Sequence, residues 1–169
     1  NASLTRKFGV QKVTFGYWYQ YSVDNLSMPF SSVNSGGEAG TMWSKEDVTM
    51  ANGKPYYAEK EQTITQTNAI YLQDEISLLH DRLKIIGGLK TLMISRDGTN
   101  SLPGPQYHVS ANNFEPLPRV SISYKFNSHH QIFVNGTTNT LMPIDDTLYN
   151  SYYGGAISTQ GNSSIKPEY

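Results

Sequence analysis

The chain has 169 residues and a net charge of -1, with charged side chains at only 16% of positions and hydrophobic ones at 37%. A nucleic-acid surface should be basic on one face, so this balance argues against one; with no cysteine, neither a disulfide framework nor a thiolate metal site can form. No apolar run reaches about 18 residues, which excludes a membrane-spanning helix but not membrane strands, whose side chains alternate between two environments.

Residues 1–7 carry no structural signal and lack the apolar centre of a signal peptide, and Phe8-Gly9 marks a turn. From residue 10 to 21 the pattern is strictly two-fold. Val13, Phe15, Tyr17, Tyr19 and Tyr21 fall on one side, with Lys12, Thr14, Gly16, Trp18 and Gln20 on the other. A row ending in three tyrosines suits an aromatic girdle at a bilayer interface, since each ring has an apolar body and a hydroxyl that needs water. Residues 22–58 are rich in Asn, Gly and Pro and read as a long loop, beyond the length usual in a compact domain.

Residues 63–92 read as a hairpin. Ile70, Leu72, Ile76 and Leu78 share a side, interrupted by Asp74, and Tyr71, Gln73, Glu75 and Ser77 share the other. After the polar turn His80-Asp81-Arg82, Leu83, Ile85, Leu89 and Met93 oppose Lys84, Gly88 and Lys90. A helix over residues 75–86 is disfavoured, because the apolar spacing breaks across the turn and Gly87-Gly88 would cost about 1 kcal/mol each in a helix interior. Each arm is long enough for a tilted strand crossing a membrane.

Residues 95–115 read as a second long loop, and residues 116–126 as a strand with Val120, Ile122, Tyr124 and Phe126 against Arg119, Ser121, Ser123 and Lys125. A short turn at residues 127–129 leads to a poorer strand over residues 132–141 and a third long loop at residues 142–164. Residues 165–169 start a further strand. Long loops thus alternate with short turns, as in outer-membrane barrels.

No catalytic set converges. His129 and His130 are adjacent, so on a strand they point to opposite faces, and Asp74-Glu75 fails as a carboxylate pair for the same reason. Neither a nucleophile elbow nor a phosphate-binding glycine loop is present. Asp145-Asp146 with Glu38, Glu46 or Asp47 would be a cation site only if the loops bring them together. Ligand recognition is better sought among large aromatics set in polar loops, namely Trp43, Tyr56, Tyr57, Tyr107, Tyr149, Tyr152 and Tyr153, where stacking and hydroxyl hydrogen bonds serve a bulky polar ligand.

The segment Tyr71-Leu72-Gln73-Asp74-Glu75, a polar turn, then Leu83-Lys84-Ile85-Ile86-Gly87-Gly88-Leu89-Lys90 resembles the barrel of TonB-dependent outer-membrane receptors. So do residues 118–124 with their return at 131–135, and Ile165-Lys166-Pro167-Glu168. The resemblance covers residues 10–169, loops excepted; residues 136–143 depart from it, lacking the usual aromatics after a strand. It implies an all-β fold of antiparallel up-and-down strands, about five to six of the roughly 22 in such a barrel. Residues 1–169 would then be a partial barrel domain without its plug domain and C-terminal strands.

Its further implications are an outer-membrane location in a Gram-negative bacterium and import of a ferric siderophore or comparable scarce ligand. Energy would come from the TonB complex through the plug. Iron would be carried by the siderophore, with no cofactor of the protein's own and no enzymatic activity. Gln73, Glu75, Lys84, Lys90, Arg119 and Lys125 would face the lumen in a structural role, and outer-membrane lipid would meet the opposite side. The competing reading is a soluble or surface-attached all-β carbohydrate-binding module, in which the apolar faces meet in a core between stacked layers.

Overall fold

A computed structural model of the protein describes residues 1–38, 48–102, 107–153 and 156–169. The strands are β1 (Ala2–Phe8), β2 (Gln11–Pro29), β3 (Tyr57–Leu78), β4 (Leu83–Asn100), β5 (His108–Lys125) and β6 (Gln131–Thr137). They form one antiparallel sheet in sequence order. A 3-10 turn (Asp145–Leu148) and a small hairpin of β7 (Ser151–Tyr153) and β8 (Ala156–Thr159) follow. This is the expected all-β, up-and-down architecture, with different strand limits.

The pairing register turns the local alternation into two continuous surfaces. Phe15 opposes Leu72, Leu72 opposes Leu89, and Leu89 opposes Pro118. One step along, Ile76 opposes Ile85, Ile85 opposes Ile122, and Ile122 opposes Val134. Directly paired residues share a face, so an apolar band runs across all six strands. Its upper margin is tyrosine-rich, and the Tyr17 hydroxyl donates to Asn68 Oδ1 at 2.5 Å. From residue 68 to residue 78 of β3 the rise is ~33 Å along the strand, or ~24 Å across a bilayer at a tilt of ~45°.

Nothing among the described residues covers this band: Phe15 is 50% exposed, Leu72 53% and Ile122 44%. The stacked layers that a soluble sandwich needs are therefore not formed among the described residues. Asp74 remains on the band, half-buried opposite Gly87, with Gln11 Nε2 donating to its Oδ2 at 3.3 Å.

The strands are longer than the sequence pattern suggests. β3 has 22 residues, and β4 and β5 have 18 each, against the 9–11 or so that cross a bilayer. Several expected boundaries are corrected accordingly. Residues 1–7 supply β1; β2 runs to Pro29 instead of ending at residue 21; and the flanks of the loop expected over residues 95–115 are strand, β4 running to Asn100 and β5 starting at His108. β6 ends at Thr137. No strand forms at residues 165–169, where only a bridge between Leu141 and Glu168 occurs; the sixth strand lies at the other end of the sequence.

The tight turns sit together at one end of the sheet. Gly9 takes a positive φ of 59° between β1 and β2, and between β3 and β4 Leu79, His80 and Asp81 all do so. Between β5 and β6, Asn127 Oδ1 accepts the backbone N–H groups of His129 and His130, each at 2.9 Å. His129 and His130 thus serve turn geometry.

Candidate functional site

The face opposite the apolar band is polar, and two zones on it are candidates for function. Pairing places Gln73, Glu75, Lys84, Lys90, Arg119 and Lys125 on this inner face: Gln73 opposes Gly88 and Gly88 opposes Arg119, while Tyr71 opposes Lys90. Glu75 lies between two cations, Lys12 Nζ at 3.7 Å and Lys84 Nζ at 3.6 Å. Lys125 is at the turn end, its backbone N–H donating to Arg82 O.

The lower zone is a recess of about 510 Å³, lined in part by Trp18, Tyr71, Gln73, Lys90, Leu117 and Arg119. Two cross-strand glycines seat two of these side chains. A Cβ on Gly16 would fall within the Tyr71 ring, and one on Gly88 would come 3.1 Å from Arg119 Nε. The ring and the guanidinium stem therefore lie flat on the sheet, each over a cross-strand glycine. Lys90 Nζ sits 5.7 Å from the Trp18 ring centroid, a cation–π distance.

The upper zone lies on the strand extensions beyond the apolar band, where residues 141–150 fold back over the inner face as a strap. Leu148 and Tyr149 join Val109 and Ala111 in a small core. Tyr149 is 2% exposed; its hydroxyl donates to Gln62 O at 3.1 Å, which leaves the Thr63 hydroxyl to donate to it at 2.9 Å. Burial raises the phenol's pKa, keeping that donor protonated. The ring occupies the space a Cβ on Gly98 would need. Arg96, 3% exposed, donates from Nη1 to Pro143 O at 2.8 Å and lies 3.4 Å from Asp145 Oδ1. Below the strap, the Tyr169 hydroxyl donates to Glu115 Oε2.

Glu61 is buried on the same wall, well beyond the apolar band, and its pKa rises from 4.5 to about 7. Desolvation is the main cause, with the charges of Glu59 and Asp146 adding to it. The sign follows from linkage. Asp146 belongs to the strap, so opening the strap removes one of the charges that hold the proton on Glu61; docking therefore weakens as pH rises between 4.5 and about 7 and levels off above it. Protection factors of strap amides, with the base-catalysed intrinsic rate divided out, should fall accordingly, and Glu61→Gln should flatten the dependence. Protection factors that do not change between pH 4.5 and 7 in the unmodified protein would exclude Glu61 as the group responsible.

The proposed ligand aromatics whose side chains are described do not converge. Trp43 lies outside the described residues. Tyr56 stacks on Phe30 with centroids 4.9 Å apart, Tyr57 lies under Lys60 Nζ at 4.3 Å, and Tyr107, 59% exposed, precedes β5. These three stand at the end of the sheet away from the tight turns. Tyr149 is instead a packing anchor with no surface left for a ligand, and the backbone of Tyr152 and Tyr153 forms β7. Asp145 meets Arg96, and no group of His, Asp and Glu fit to hold a metal ion is found among the described residues.

Sequence reasoning passed over Glu61, Thr63, Arg96 and Gly98, because they lie where polar residues on both faces erase the alternation. Gly16 and Gly88 did leave a signal: each is a glycine on the polar side of an otherwise regular strand.

The model of the family described as TonB dependent receptor-like, beta-barrel, matches residues 1–169. No curated protein matches the chain.

Proposed function

The chain belongs to the TonB-dependent receptor-like β-barrel family, and on that premise we propose that it forms barrel wall in an outer-membrane receptor that imports a ferric siderophore or similarly scarce ligand. Receptors of this family are transporters of the Gram-negative outer membrane. Energy would reach the barrel through TonB acting on a plug domain. Iron, where it is the cargo, would travel inside its chelator, so the wall needs no metal ligands or resident cofactor of its own.

The observation that carries the reading is the asymmetry of the sheet. An apolar band about one hydrocarbon core tall lies across six paired strands, backed by Lys12, Glu75, Lys84, Lys90 and Arg119 on the other face. In a closed barrel the band would meet lipid and the charges a wet lumen. Gln73, Glu75, Lys84, Lys90, Arg119 and Lys125 would then line that lumen, and the strand extensions would rise on the external side, carrying Tyr56, Tyr57 and Tyr107 towards solvent.

Membrane fractionation tests this. The protein expressed from its own gene should sediment with outer membrane and require detergent for release; recovery in the soluble pool would sink the proposal. Deleting the gene should then abolish growth on at least one defined ferric chelate as sole iron source. Unimpaired growth across such a panel would leave the barrel intact as a reading and discard iron as the cargo.

A further inference from the structure

We propose that the surface of the plug domain that meets this wall at the height of the apolar band is acidic, and that its carboxylates pair with Lys90 and Arg119. The inference rests on the barrel reading above and adds the chemistry of the partner surface and the residues that hold it.

Charge is the first argument. On the inner face Lys7 pairs beside Lys12, Lys12 beside Glu75 and Lys84 beside Ser123, and parity adds Lys90, Arg119 and Lys125. From the tight turns up to the row of Tyr71, Lys90 and Leu117, the described strands thus carry six cations on this face (Lys7, Lys12, Lys84, Lys90, Arg119, Lys125) against one carboxylate, Glu75. Glu75 is already shared by Lys12 and Lys84. Lys90 and Arg119 are exposed diagonal neighbours on β4 and β5, and neither has an ion pair among the described residues. Like charges so placed repel, and an acidic surface laid over them offsets that repulsion. Above this row the sign reverses, with Glu115, Glu61 and Glu59 on the same face against Arg96. The same charges therefore fix the height at which an acidic surface can seat.

Extent is the second argument. Lys7 on β1 and Lys125 on β5 are four strand spacings apart, or ~19 Å, and Lys84 to Lys90 covers ~20 Å along β4. A small solute cannot meet charges spread over such a patch, whereas a folded surface can. The two free cations are also placed in advance. The Arg119 stem rests over Gly88 and the Lys90 ammonium lies near the Trp18 ring, so little side-chain freedom is lost on pairing. Half-buried Trp18 and Tyr71 beside them offer apolar area for the partner to cover, the usual mixture at a protein interface.

A carbodiimide joins a carboxylate to a lysine amine only where the two already touch, and mass spectrometry of the treated full-length protein in detergent locates the links. Lys12 and Lys84 should each link to Glu75, which calibrates the reaction, and Lys90 should link to an Asp or Glu of the plug domain. Arg119→Glu and Lys90→Glu should each lower the protection factors of plug amides around the linked carboxylate by about tenfold, and Arg119→Gln by less. Replacing that plug carboxylate by lysine in the Arg119→Glu protein should restore protection, which a merely structural role for Arg119 would not allow.

Heat-modifiable gel mobility shows whether each variant still forms a barrel. Three results would each overturn the pairing: a link between Lys84 and Glu75 with none from Lys90 to the plug, links from Lys90 only to carboxylates of the barrel wall or its loops, or unchanged plug protection in folded Arg119→Glu and Lys90→Glu. Any of these leaves the barrel reading standing if the protein remains in the outer-membrane fraction. Recovery from the soluble pool would remove both.

Discussion

Leu72→Arg is expected to destabilise the folded protein in lipid vesicles by about 2–4 kcal/mol, whereas Gln73→Arg, one residue away, costs less than about 1 kcal/mol. Leu72 is near the middle of the apolar band, between Phe15 and Leu89 on the flanking strands, and more than half exposed. At mid-bilayer a guanidinium must be desolvated or drag water and headgroups inward, and its side chain is too short to reach the nearer interface without strain. Gln73 points the other way, into a surface that already holds Arg119 and Lys90. Urea unfolding in vesicles, followed by heat-modifiable electrophoretic mobility, reads both variants. Similar losses at the two positions, or a larger loss at Gln73, would mean that the band does not face hydrocarbon.

Tyr149→Ala is expected to weaken docking of the strap by about 3–5 kcal/mol, the range for truncating a large buried ring. Tyr149→Phe should cost about 1 kcal/mol, since it keeps the ring but leaves the Gln62 carbonyl and the Thr63 hydroxyl without that partner. The ring fills the gap over Gly98 and closes the cluster with Val109, Ala111 and Leu148. Gly98→Val should mimic the alanine variant by refusing the ring its seat. Hydrogen exchange at the amides of Tyr149 and Asn162, which bond to Asp146 O and Thr147 O, measures the opening. Unchanged protection in Tyr149→Ala would show that the strap is held elsewhere, with the Arg96 contact to Pro143 the next anchor to remove.

The strap also changes how the aromatics of this region are to be understood. On composition, Tyr149 resembles the other tyrosines set among Asn, Gly and Ser. What separates it is a partner far away in sequence, because the Gln62 and Thr63 backbone and hydroxyl groups reach the inner face only once β3 is paired on both sides. Tyr56 and Tyr107 stay exposed at the end of the sheet away from the tight turns.

By itself the sequence determined the all-β class, the antiparallel order, the tight turns after residues 78 and 126, and the assignment of side chains to two faces. The reason is local: a pleated strand has a period of two, and within the apolar band the two faces differ so much that Phe15, Leu72, Leu89 and Ile122 alternate with polar neighbours. Even the placement of Gln73, Glu75, Lys84, Lys90, Arg119 and Lys125 on one face follows from parity alone. Only the tertiary structure decided where the strands stop, because beyond the band both faces are polar. Ser95 opposite Asn112 and Asp97 opposite Ser110 then pair through backbone hydrogen bonds that leave no trace in residue type. It alone also brought Arg96, Gly98 and Thr63 beneath Tyr149 and Pro143, and laid Tyr71 and Arg119 over Gly16 and Gly88. Contacts between residues so distant along the chain are set by register and by the fold-back of the strap, neither of which a local pattern encodes.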